Sequence, residues 1–120
     1  MAYYDFMVTP AKLDRMADYK KLVAKSARVW KKHGALSYAE CVADDVKPGK
    51  TTSFPQSLKL KPDEIVVAAF IGFKSRKHRD LVWSRVMKDP FMAGFDMASA
   101  PFDAKRMYFG GFKKIGGFAT

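Results

Sequence analysis

The run Ile65-Val66-Val67-Ala68-Ala69-Phe70-Ile71-Gly72-Phe73 constrains this chain more than any other stretch. It is dominated by β-branched and apolar residues, with Pro62-Asp63-Glu64 before it and Ser75 just after it, so it reads as a strand. Successive side chains of a strand point to opposite faces, and here both faces are apolar. Such a strand belongs inside a sheet that is covered on both sides. At nine residues it is far too short to cross a bilayer.

The flanking patterns supply the rest of that sheet and one cover. Tyr3 to Val8 alternates as a first strand, with Tyr4, Phe6 and Val8 on one face. Thr9 offers an N-cap and Pro10 a first helical residue. A helix is therefore predicted from Ala11 to His33, with Leu13, Met16, Ala17, Val23, Ala24, Ala27 and Trp30 on its inner stripe. Leu36 to Val42 reads as a second strand. Tyr38 and Glu40 share one face, and the small Ala39 and Cys41 suit close packing under a helix. Asp44 to Lys50 is a turn, and Thr51 to Lys61 a polar, extended excursion within the domain. Ser75 caps a second helix ending near Lys88, before Asp89-Pro90. Phe91 to Ala100 is a Met/Phe-rich connection. The last strand runs from about Lys105 to Lys113, and 116–120 form a tail.

The order strand–helix–strand–strand–helix–strand predicts an α+β, ferredoxin-like domain with a four-stranded antiparallel sheet. At 120 residues and 13.5 kDa the chain is expected to be one domain, 1–120, large enough to bury a core without staples. The two helices cover one sheet face only. The other face, apolar along the third strand, needs a partner, and a second copy of the chain is the simplest.

The lone Cys41 cannot form an intramolecular disulfide, and no signal peptide or membrane span is legible, so the cytoplasm is expected. Two histidines and one cysteine without ligand spacing predict no metal, and no motif calls for a cofactor. His33, at the end of the first helix, is read as meeting the terminal carbonyls, and His78 as a local hydrogen-bonding group. There is no Gly-x-Ser-x-Gly elbow for nucleophilic hydrolysis. The net charge of +10 would serve nucleic acid, but the cations are spread over many segments and the aromatic face is needed for dimerisation. Nucleic acid is thus the least favoured partner.

Glu40-Cys41, Asp44 to Thr51, Phe54-Pro55, Ser75 to Asp80, Met87 to Pro90 and, above all, Pro101 to Phe112 resemble the YbaA-like family of small bacterial proteins of unknown function. The resemblance runs from about Tyr3 to Phe112. The chain departs from it at Ala100 and Ala104, where methionine and glycine are expected. The resemblance implies the dimeric α/β-barrel superfamily, in which two ferredoxin-like sheets pack face to face in a homodimer. Its wider members include cofactor-free monooxygenases, isomerases and haem enzymes, so the fold selects no activity.

If the sheet face turned away from the helices lines a cavity in such a dimer, Tyr38 and Glu40 would offer a hydrogen-bond donor and a base to a small acidic substrate. Arg106 and Tyr108, read as sharing a face of the last strand, would join them, with Tyr4 alongside and Arg106 orienting an anion. Asp103 and Arg106 also suit a turn-fixing pair. Met87, Met92 and Met97 with Phe91 and Phe95 would form an adaptable lid. A homodimer binding a small molecule, with or without a cofactor-free reaction, is the leading expectation. A non-enzymatic interaction or regulatory protein is the alternative.

Overall fold

A computed structural model describes residues 2–118; Met1 and, of the expected tail, residues 119 and 120 lie outside the described residues. The elements run β1 (Tyr3–Lys12), a 3-10 turn at Leu13–Arg15, α1 (Met16–Lys32), β2 (Ser37–Val42), α2 (Phe54–Leu58), β3 (Glu64–Phe73), α3 (Arg76–Met87), α4 (Pro90–Ala93), a 3-10 turn at Met97–Ser99, and β4 (Tyr108–Lys113). The strands form one sheet in the order β2-β3-β1-β4, and every neighbouring pair is antiparallel. This is the predicted α+β, ferredoxin-like architecture.

The apolar β3 lies inside the sheet, hydrogen-bonded to β1 and β2. On one face α1 and α3 close a core of Tyr3, Trp30, Ile71, Phe73, Val82 and Val86. A second cluster joins Ala11, Tyr19 and Val67. The molecule is a slab of 38 × 37 × 21 Å, the thinness of a single sheet with one helical layer. On the opposite face Tyr4, Phe6, Phe70 and Phe112 form a row of ring contacts, with centroids 5.4–6.2 Å apart. Phe6 is 47% and Phe112 55% exposed.

Three predicted boundaries need correction. Thr9 and Pro10 do not start a helix; they continue β1, where Pro10 pairs with Val66. The Pro10 carbonyl accepts from the Asp103 N–H on the side away from β3. A strand residue points its N–H and C=O the same way, so the missing proline donor faces the edge where β4 has already ended, and no β1–β3 bond is lost. The chain then makes the 3-10 turn before α1. Of the predicted stripe, Met16, Val23, Ala27 and Trp30 face inward, joined by Tyr19 and partly by Leu22 and Ser26, whereas Leu13, Ala17 and Ala24 are exposed.

The excursion 51–61 is not simply extended, because it contains α2. Ser53 caps it by accepting from the Gln56 N–H at 3.2 Å, and Lys59 closes it in the left-handed region at φ 51°. Leu58 is fully buried, and Ser57 bonds Tyr108 across 2.7 Å, so α2 covers one end of the sheet face opposite α1 and α3. The last strand begins at Tyr108, later than expected, because Asp103 and Arg106 hold the preceding residues in a turn. Gly111 is the one glycine of β4 whose bareness matters: a Cβ there would lie 2.2 Å from the Tyr3 hydroxyl oxygen.

Candidate functional site

Strand register decides where the chemistry lies. Tyr38 pairs with Ile71 and Glu40 with Ala69, so their side chains share the face of Ile71, which lies in the helix-side core. They therefore point between sheet and helices, not onto the open face as the sequence reading supposed. Ala39 and Cys41 take the opposite face, and Cys41 is exposed. The apparent alternation misleads because a carboxylate and a phenol look unsuited to a helix–sheet interface. They are accommodated there because each satisfies the other.

Tyr19 of α1 donates to Glu40 Oε1 at 2.6 Å, and Tyr38 donates to Glu40 Oε2 in a short bond. Burial raises both phenols far above their ordinary value of 10.0, and the adjacent Glu40 charge and hydrogen bond raise them further. Each remains a protonated donor. The Thr9 hydroxyl beside Tyr19 and the Ser26 hydroxyl beside Tyr38 oppose the shift as the smallest influences. Among the described residues, Glu40 forms no ion pair.

This cluster borders a cavity of about 360 Å³ between the sheet and the helical layer. Its walls are mainly aromatic and thioether: Trp30, Trp83, Phe102 and Phe109, with Met7 and Met107. Met87, Phe91, Met92, Phe95 and Met97 also line it, so the expected Met/Phe lid meets a cavity, though one inside the subunit. Arg15 ties the end of that segment down by donating to the Ser99 and Ala100 carbonyls at 2.9 and 3.1 Å. Asp89 caps α4 and meets the His33 ring at 2.7 Å; its carboxyl is held low chiefly by that contact. His33 thus bridges α1 to the lid rather than sealing helix carbonyls. His78 serves locally, its Nδ1 accepting from the Lys74 N–H at 3.0 Å.

The structure does not bring the remaining candidates to this cavity. Arg106 lies before β4 and clamps Glu64, whose side chain is fully buried, through two hydrogen bonds. It also reaches Asp103 at 2.9 Å and the Leu58 and Lys59 carbonyls at the end of α2. Glu64 and Asp103 are held below their usual values, in each case mainly by the bond from Arg106, whose own value is raised. Arg106 is fully committed to joining chain segments. Tyr108 and Tyr4 occupy the open face, away from Glu40.

Sequence reasoning missed Tyr19, which lies outside the predicted apolar stripe. It also missed Asp5, wholly buried, which accepts from the Trp83 indole at 2.6 Å and lies 3.6 Å from Arg79. A lone aspartate in an otherwise aromatic strand was the available signal. Among the described residues no His/Cys/Asp/Glu group is arranged to hold a metal ion, and no helix is long and apolar enough to cross a membrane.

Comparison with known proteins agrees with this framework. Among solved structures, Rv0793 of Mycobacterium tuberculosis aligns with a TM-score of 0.56 at 9% identity, over 99% of this chain and 100% of that one. A protein described as a dimeric ferredoxin-like protein, from an uncultured marine organism, aligns at 0.53 and 13% identity, over 92% and 91%. At such identities the likeness concerns the fold. YbaA of Escherichia coli strain K12 is 40% identical over 115 residues, 96% of this chain and 97% of YbaA. The family model described as "Protein of unknown function (DUF1428)" matches residues 2–104, and with that match and the YbaA identity the chain belongs to this family.

Proposed function

We propose that this protein is a homodimer, paired through the open sheet face, and that each subunit binds a small, largely apolar molecule between its sheet and its helices. The observation that carries the binding reading is the 360 Å³ cavity whose polar end is a carboxylate held by two phenols. Its size falls within the range of small-molecule sites, and apolar walls with few convergent polar groups are their usual composition. Tyr38 and Glu40 keep the ligand-contacting roles expected of them, now within one subunit and joined by Tyr19. Glu40 is the group that accepts a hydrogen bond or a proton from the ligand.

The dimer reading is supported by the aromatic row on the open face and by the exposed area. The subunit exposes 8105 Å², whereas a compact monomer of this mass exposes roughly 6,500 Å². The dimeric protein of like fold supports it further.

The binding reading is tested with N-phenyl-1-naphthylamine, an uncharged aromatic probe whose fluorescence rises in apolar surroundings. It is expected to bind one molecule per subunit in the native protein. Leu22→Trp, which fills the cavity from α1, should abolish that signal while the circular dichroism stays native. Probe binding that is absent, or indifferent to this substitution in the folded protein, would overturn the reading.

A further inference from the structure

We propose that the cavity selects an organic cation: a small amine carried on an apolar, preferably aromatic, body. The inference rests on the binding reading above and adds the charge of the ligand. Its basis is the composition of the cavity wall. Glu40 is the one charged residue that borders the cavity, and neither lysine, arginine nor histidine lines it. Six rings, Trp30, Trp83, Phe91, Phe95, Phe102 and Phe109, surround the remaining space.

The hydrogen bonds around Glu40 leave a particular vacancy of function. Tyr19 and Tyr38 spend their protons on the carboxylate. The phenol donors are thus used up inside the cluster, and the Thr9 and Ser26 hydroxyls and the Trp30 indole are the other neutral polar groups of the wall. A carboxylate with about four lone-pair directions still has acceptor capacity. A ligand that donates finds a charged acceptor there, whereas one that accepts finds only neutral donors. A carboxylate or phosphate would meet a like charge across an apolar medium, where repulsion is poorly screened.

An ammonium group meets the opposite situation. It supplies the counter-charge that Glu40 lacks, through charge-assisted hydrogen bonds. Aromatic faces attract the same cation through their quadrupoles, most strongly when water is excluded. Lys20, which is exposed, borders a separate hollow of about 160 Å³ that Glu40 also lines. The whole-molecule charge of +10 works against an amine and in favour of an acid. A preference for amines would therefore have to come from the cavity itself.

Three compounds of one shape give the test: 3-phenylpropylamine, 3-phenylpropan-1-ol and 3-phenylpropanoate, positive, neutral and negative at neutral pH. Each is titrated against the protein loaded with N-phenyl-1-naphthylamine. The amine is expected to displace the probe at about tenfold lower concentration than the alcohol, and the acid to be weakest. Glu40→Gln should bring the amine down to the level of the alcohol when both are titrated directly by calorimetry, which needs no probe. Failure of the probe to bind the native protein overturns the cavity reading itself. A bound probe that the amine displaces no better than the alcohol, or that the acid displaces best, overturns this inference alone. So does a folded E40Q protein that keeps the amine preference. The comparison on the unaltered protein decides the matter even if E40Q does not fold.

Discussion

Tyr19 and Glu40 meet across the helix–sheet interface, phenol to carboxylate, at 2.6 Å. One comes from the first turn of α1 and the other from the edge strand β2, twenty-one positions on. Tyr38 closes the same carboxylate from its other oxygen. A half-buried carboxylate is accommodated at such an interface when neutral donors meet its lone pairs.

The phenols make the protein sensitive to alkali. Both folded-state values lie well above 10.0, because burial and Glu40 favour the protonated form. At high pH the unfolded chain binds fewer protons than the folded one, so this contribution is intact below pH 10 and declines as pH rises above it. Tyrosinate absorbance should show Tyr19 and Tyr38, of the five tyrosines, ionising only with unfolding. Normal titration of all five in the folded protein would refute this.

Arg106 holds Glu64 against the end of α2. Arg106→Met leaves a carboxylate with a fully buried side chain short of its main partner. The expected loss is about 3 kcal/mol in urea unfolding, since removing one partner of a buried pair leaves an uncompensated charge. Adding Glu64→Gln should recover part of it. A single substitution that costs nothing would contradict the clamp.

Acid acts on the same cluster with the opposite sign. Glu64 and Asp103 are held below their ordinary values of 4.5 and 3.8 by Arg106. As pH falls below about 4.5 the unfolded chain takes up protons that the folded chain refuses, so stability drops through that window. Urea midpoints measured from pH 6 down to pH 3 should fall more steeply for the unaltered protein than for the Arg106→Met, Glu64→Gln double variant. Parallel profiles would count against the assignment.

Dimerisation through the open face predicts a light-scattering mass near twice the 13.5 kDa of the chain. Phe6 and Phe112, 5.4 Å apart by ring centroid, are the exposed rings of the aromatic row. Phe6→Lys should shift the mass to that of one chain, because a buried unpaired charge opposes association. The cavity lies on the other side of the sheet, so the monomer should still bind N-phenyl-1-naphthylamine. A dimer that survives Phe6→Lys and Phe112→Lys together would place the interface elsewhere.

The element order and the sheet were legible in the sequence because they rest on local periodicity. The two apolar faces of Ile65–Phe73 required an inner strand, and the capping Ser75 and the Asp89-Pro90 stop bounded α3. Asp103 and Arg106, three residues apart, announced their turn. The site was legible only as a set of residue types. Tyr38 and Glu40 were recognisable as chemistry, but the face they occupy depends on strand register, and a shift of one residue reverses it. Tyr19 entered the site because the inward face of α1 is broader than the apolar stripe and takes in a phenol whose hydroxyl reaches Glu40. Arg106 left it because Glu64, forty-two positions away, claims its guanidinium. Sequence determined the strands, helices and reactive groups through contacts between near neighbours. The meeting of Tyr19, Tyr38 and Glu40 at one cavity was decided by packing between distant segments, which no local pattern encodes.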